Sequence, residues 1–261
     1  MTDSPGLYVY AVIPGSLPAL ALGTGIDDVP LKLVAAGGGP AAVVHEHRRA
    51  PYSGADDDVQ RWILEHSNVV ERCWEQAGTV LPMSFNVIVA PGDGMPASAR
   101  LAQWLAASGP ALAGRLDALR ERVELRVEIS LDQQLAAGDD PEVAALREEM
   151  QHRPAGVQRL LRKRLDGMER GIAERLAGRL YPQYRRRLAT LSEDLAENRH
   201  AHQPPASVSV LNIALLVPRS AVTAIGGELS AIAAEEQAAQ IRFLGPWPPY
   251  SFADVPELNP G

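Results

Sequence analysis

Histidine, cysteine and paired carboxylates carry much of protein chemistry, and this chain spends few of the first two. It has six histidines and one cysteine in 261 residues. His45 and His47 stand two apart in an apolar run, so a strand there turns both to one face. Two imidazoles on one face begin a metal site, but such sites take three or four ligands, and no third donor is near in sequence. The alternative is a pair of exposed histidines on an edge strand. His66 falls on the apolar face of a helix, where a structural histidine donating to a carbonyl is expected. His200 and His202 sit in a linker and are expected in solvent. Cys73 shares a helical face with Val70 and Ala77. A nucleophilic thiol needs a partner base and a lowered pKa, so an inert buried thiol is expected. A lone cysteine forms no intramolecular disulfide, which fits a reducing compartment.

Other reactive patterns are weak. Gly37-Gly38-Gly39 lacks the Lys-Ser/Thr of a phosphate loop, and neither a nucleophile elbow nor a dinucleotide fingerprint appears. Carboxylates are plentiful, but no spacing singles out an acid–base pair. The residues make no positive case for an enzyme, and neither metal nor cofactor is expected.

Charge is distributed unevenly. Between Arg147 and Arg187 lie twelve basic and five acidic residues, a net +7 in a chain whose formal charge is −7, so the remainder carries −14. Three readings follow: phosphate neutralisation on a nucleic acid, docking to an acidic partner, or a solvated helix face. Only Tyr181 and Tyr184 interleave aromatics with these cations, so the stacking platform of single-strand binders is missing. Nucleic acid is not the expected partner.

The elements that must position these residues follow from hydropathy. Gly6 to Ile13 reads as a buried strand. Leu31 to Ala35 and Ala41 to His47 flank the glycines as a hairpin. Asp56-Asp57-Asp58 opens a helix that Gly78 ends. Leu81, Met83, Phe85, Val87 and Val89 alternate as one half-buried strand, with Pro82 setting its start at an edge. A helix from Pro96 to Leu119 is expected to break at Gly109-Pro110. Arg122 to Leu131 alternates again. Asp140-Pro141 caps a helix, and a helical region spans 154–199, kinked or split at Pro182. Val208 to Val217, Ser220 to Glu236 and Ile241 to Phe252 give strand, helix and strand. The expectation is an α+β fold of two domains, 1–120 and 121–261, the second ferredoxin-like with an enlarged helical insertion. No long apolar span or secretory leader is evident, so a cytoplasmic, non-membrane protein is expected.

The last block is Gly245-Pro246-Trp247-Pro248-Pro249-Tyr250-Ser251-Phe252, a stiff extended strap whose aromatics are expected to pack on the second domain. This ending resembles that of the GvpL/GvpF family of gas vesicle proteins. So do Leu7-Tyr8-Val9-Tyr10, the histidine-bearing helix with Val69-Val70, the Leu81-Pro82-Met83-Ser84-Phe85 strand and Leu211-Asn212-Ile213-Ala214-Leu215-Leu216-Val217, all in the family's order. The family's usual Arg and Gly around the Leu-Pro motif are replaced by Ser84 and Asn86. The resemblance implies a non-enzymatic accessory protein, a minor or assembly component that binds the main gas vesicle shell protein and, by extension, other accessory proteins. For docking, the edge residues Leu81, Pro82, Met83, Ser84, Phe85 and Asn86 are the first expectation and Arg185, Arg186 and Arg187 the second. The competing classes are an enzyme or small-ligand binder on a ferredoxin-like scaffold, and a nucleic-acid-binding module using the basic helical region.

Overall fold

The computed structural model describes residues 5–15, 22–198 and 204–258. The segment holding His200 and His202 lies outside them. The fold is α+β, and the chain divides into two compact units, residues 1–123 with 247–261 and residues 124–246.

The first unit is built on β1 (Gly6–Ile13), whose side chains from Leu7 onward are all buried. After it come β2 (Lys32–Ala35) and β3 (Ala41–His47), an antiparallel hairpin whose turn uses the positive φ of Gly37 and Gly38. Next is helix α1 (Asp56–Ala77), with three acids at its positive end and Gly78 at φ 68 past its last turn. The short strands β4 (Leu81–Pro82) and β5 (Ile88–Val89) both pair with β1, giving the order β2-β3-β1-β4. Thus β3 is internal, not an edge, which is why His45 and His47 are buried rather than exposed.

The alternation from Leu81 to Val89 does not make one strand. Residues 83–87 turn instead, around Asn86 at φ 69. Asn tolerates this left-handed geometry better than most residues, and it stands where the resemblance places Gly. Asn86 also exchanges two 2.9 Å hydrogen bonds with the backbone of Tyr52, which hold the turn against strand pairing.

Helix α2 (Ala97–Ala118) runs unbroken through Pro110. Pro110 and Ala106, whose carbonyl loses its helical partner, are both exposed, so water takes the freed acceptor.

The second unit opens on β6 (Arg122–Asp132), followed by α3 (Gln133–Ala136) and α4 (Pro141–Gln151), the latter capped by the Asp140 carboxylate. Helix α5 (Ala155–Ala189) is one helix of 35 residues, not a split pair. Pro182 is exposed and so is tolerated in the same way as Pro110. The helix ends sooner than expected, and residues 194–197 form β7 (Asp194–Glu197), an edge strand on β8 (Ser207–Pro218). Helix α6 (Val222–Glu235) and β9 (Ala239–Trp247) complete a sheet of order β7-β8-β6-β9. Its central strand β6 buries Glu124 and Glu128 as well as its apolar set, so the expected polar face is covered. Leu165, Ala173, Ala177, Tyr184 and Leu188 form the buried stripe of α5.

Candidate functional site

The densest gathering of chemistry-bearing side chains is inside the first unit. β1 supplies Tyr8 and Tyr10, separated by one residue and turned to the same side; their rings lie 4.8 Å apart. A register shift in the β1–β3 pairing falls between Val9 and Ala11, at Tyr10, the kind of bulge that re-aims a side chain. β3 supplies His45, opposite Tyr8 in register and stacked on it at 5.0 Å, and His47. α1 supplies His66 and Trp62. The 83–87 turn supplies Phe85 and Asn86, and the loop after β3 supplies Tyr52.

The hydrogen bonds join these side chains in two chains, and a carbonyl partner fixes the proton of His66. Ile26 N–H donates to the Tyr10 oxygen at 2.8 Å, and the Tyr10 hydroxyl and His45 Nδ1 share a hydrogen bond of 2.7 Å. Asn86 N–H donates to the Tyr8 oxygen at 3.1 Å, and Tyr8 donates to His66 Nδ1 at 2.9 Å. His66 Nε2–H then donates to the Met83 carbonyl at 3.1 Å, the structural role expected for it. His47 Nε2–H donates to the Ala50 carbonyl at 3.0 Å. The chain through His66 runs in one direction, from backbone amide through phenol to a neutral imidazole and on to a carbonyl.

Burial sets the ionisation. Desolvation lowers His45 and His66 to about 4 each, with His47 adding to the effect on His45. The same desolvation raises Tyr8 and Tyr10 well above the usual phenol range and Tyr52 to about 12. Cys73 is buried and its thiol is raised to about 11, against nucleophilic use. At neutral pH His45, His66, Tyr8, Tyr10 and Tyr52 are uncharged, and Tyr8, Tyr10, His45 and His66 are spent on one another. What this arrangement does chemically is lock β1, β3, α1 and the 83–87 turn into one register.

Of the residues expected at the docking edge, Leu81, Pro82 and Met83 are buried, Phe85 and Asn86 are half-buried in the aromatic cluster, and Ser84 is exposed. They lie where β4 ends the sheet order. The alternative trio divides. Arg185 bonds Glu197 at 3.2 Å, Arg187 pairs with both Glu228 and Glu235, and Arg186 is exposed. Glu197 also accepts from the Tyr181 hydroxyl at 2.7 Å.

The C-terminal strap corrects an expectation. The strand ends at Trp247, and residues 250–252 form a single 3₁₀ turn. Gly245 sits at φ 109, open to glycine alone, and leads through exposed Pro246 into the strap. Pro248, Pro249 and Phe252 are buried, but Trp247 and Tyr250 are 38% and 39% exposed. The strap belongs to the first unit, not the second. Arg115 of α2 holds it, with Nε donating to the Phe252 carbonyl at 2.8 Å and Nη2 reaching Asp254 at 2.9 Å. Proline stiffness was legible in the sequence. The neighbour of the strap was not, because a guanidinium–carbonyl contact 137 residues apart leaves no local pattern.

A second concavity, an open groove of about 970 Å³, lies in the second unit among α3, α4, α5 and the α6–β9 turn. Its lining mixes both charges, and Arg147 closes on the buried Glu169 at 2.7 Å.

Residues 6–254 match the family described as gas vesicle synthesis protein GvpL/GvpF. The chain belongs to the GvpL/GvpF family. Gas vesicle protein L2 of Halobacterium salinarum is 34% identical over 96% of this chain and 92% of its own length. Gas vesicle protein L of Haloferax mediterranei is 27% identical over 90% of this chain and 74% of its own. Among solved structures, GvpF of Microcystis aeruginosa superposes with a TM-score of 0.66 at 18% identity, covering 97% of this chain and all of that one. GvpF of an Anabaena species gives 0.67 at 19%, covering 97% and 98%. Those two likenesses carry the α+β fold. Membership in the GvpL/GvpF family carries a gas vesicle accessory role and association with gas vesicles. Among the described residues no helix is long and apolar enough to cross a membrane.

Proposed function

We propose that this chain is a non-enzymatic, cytoplasmic accessory protein that binds the main gas vesicle shell protein while vesicles form. The observation that carries the reading is the family match across residues 6–254. The inward-directed hydrogen bonds of the Tyr–His cluster support a binder over a catalyst, since its phenols and imidazoles serve as struts. A shell subunit that assembles into an apolar-lined wall is aggregation-prone beforehand, and a partner that covers its exposed edge or apolar surface opposes this.

For the docking surface we propose the sheet end at Leu81–Asn86, where Ser84 is exposed and the strand has β1 on one side only. Arg185–Arg187 is the rival surface; two of its three guanidinium groups are already paired within the chain. We read the second unit as ferredoxin-like with α3–α5 as its insertion, supported by the strand order β9-β6-β8-β7. The domains are proposed as 1–120 and 121–261, with the strap from Trp247 returning to the first.

The test is capture of purified shell protein by the full chain, together with deletion of the gene. Association that weakens only slightly in moderate salt and is lost on Ser84→Lys supports the reading, because strand addition is screened little by ions. Normal vesicles after deletion, with no association to any vesicle component, would sink it.

A further inference from the structure

Helix α5 carries more positive charge than its surroundings neutralise. Arg170, Arg185 and Arg187 have carboxylate partners. Arg164, Arg175, Arg179 and Arg186 are exposed, and among the described residues no ion pair reaches them. Their spacings are 11, 4 and 7. At about 100° per residue these spacings return each side chain to nearly one side of the helix, in a row about 33 Å long. The acids of α5 – Asp166, Glu169 and Glu174 – fall outside that row.

A second observation lies on the same stripe. Gly171 and Gly178 are seven apart, on the side of Arg164 and Arg175. Glycine within a helix costs stability relative to alanine, and packing within the chain does not require it here. Beyond the helix backbone nothing lies within 4 Å of the Cβ that Gly178 lacks. That of Gly171 would meet only the mobile end of Arg175, at an ordinary 3.6 Å. The pair therefore forms a notch, open to the outside, within a row of unpaired guanidinium groups.

We propose that this stripe docks an acidic helix of a partner protein. The notch admits the partner backbone to close range. Arg164, Arg175, Arg179 and Arg186 receive carboxylates presented at successive turns, as planar forks suited to bidentate pairing. Nucleic acid fits less well. The stripe is one helix wide, with Glu174 beyond its flank and Asp166 on the opposite side of the helix, and the chain as a whole is at −7. Of the two tyrosines of the region, Tyr184 is buried and Tyr181 is held by Glu197, so neither serves base stacking. This docking surface is independent of the shell-protein reading and is tested without the shell protein.

The experiment uses the full chain and a fluorescent helical peptide of about 25 residues, long enough to span the stripe, with Glu at spacings of 4, 7 and 11 on one face. A Gln version of the peptide and a short DNA duplex are the comparison probes, with binding read by anisotropy. The Glu peptide is expected to bind, to weaken as salt rises, and to lose about tenfold on Arg175→Gln with Arg179→Gln. The double variant Gly171→Ala, Gly178→Ala is expected to melt at the same or a higher temperature yet bind the peptide several-fold more weakly. That split distinguishes docking from a structural role. Unchanged binding in the glycine variant, equal binding of the Gln peptide or of DNA, or no binding of the Glu peptide each overturns the proposal. So does self-association of the chain that the same arginine variant abolishes, which would make the occupant a second copy.

Discussion

Around Tyr8 and Tyr10, backbone amides, phenols and imidazoles hydrogen-bond to one another inside a buried interior; along the stripe of α5, four guanidinium groups stand exposed, and among the described residues no ion pair reaches them. The first region uses polarity to fix a fold, because an unpaired buried donor or acceptor costs far more than an exposed one. The second leaves polarity for something outside, because an exposed arginine costs little to keep unpaired. Proton concentration should therefore act on the first region, and salt on the second.

The largest effect expected is from acid. His45 and His66 ordinarily titrate near 6.5, and burial lowers each to about 4. Above 6.5 both are neutral, folded or unfolded, and contribute no pH dependence. As pH falls from 6.5 towards 4 the unfolded chain binds protons that the folded chain refuses, so stability is lost across that window and levels below it. Each histidine accounts for up to about 3 kcal/mol at pH 4. Denaturant melts at pH 7 and pH 4.5 should show the loss, and a His66→Gln variant should show a shallower dependence. A flat profile between those pH values would mean that the Tyr–His interior is not dry.

Next in size is the strap. Phe252→Ala should cost about 3–5 kcal/mol by opening a cavity in the first unit, read as a lowered melting temperature. Trp247→Ala, at a position more than a third exposed, should cost well under half of that. Equal losses would contradict the division between a buried anchor and an exposed aromatic.

Legibility in the sequence followed the range of the interaction. The β2–β3 hairpin and the start and stop of α1 are set by neighbours in the chain, and three acids and glycines at positive φ announced them. The break expected at Pro110 and the split allowed at Pro182 failed for one cause: periodicity does not say that these prolines face water, where a lost helical hydrogen bond is replaced. The Tyr–His cluster was missed for another reason. His45 and His47 looked like edge residues because the hairpin gives one neighbour of β3, while the other, β1, joins from more than 30 residues away. The available signal was two period-two pairs, Tyr8 with Tyr10 and His45 with His47, each turned to one face of a strand. Opposed in an antiparallel register they must meet, and Tyr8 does pair with His45.

A smaller effect is expected at one hydroxyl. Tyr10→Phe keeps the ring and removes the oxygen between Ile26 N–H and His45 Nδ1. Two buried groups lose their partner, at a cost of about 1–3 kcal/mol. His45 Nδ1 also loses its phenol partner, so NMR should find a tautomer balance changed from that of the parent chain. A stability change below about 0.5 kcal/mol would mean that a rotamer change or water replaces the phenol.

The smallest effect brings the comparison back to α5. Arg185 and Arg186 are consecutive and both exposed, but among the described residues an ion pair reaches only Arg185, from Glu197 at 3.2 Å, which also accepts from the hydroxyl of Tyr181. Exposed ion pairs are screened and pay side-chain entropy, so Arg185→Gln should cost under about 1 kcal/mol. That loss should shrink as salt is raised. Arg186→Gln should leave the melting temperature unchanged at any salt, since among the described residues no ion pair of Arg186 is lost. The two substitutions remove the same charge from the same helix end, so their difference isolates the intramolecular pair from the general field of the stripe. If Arg186→Gln proves the more destabilising, Arg186 is satisfied within the folded chain, and the separation between a self-contained interior and an outward-directed helix surface fails at its most exposed point.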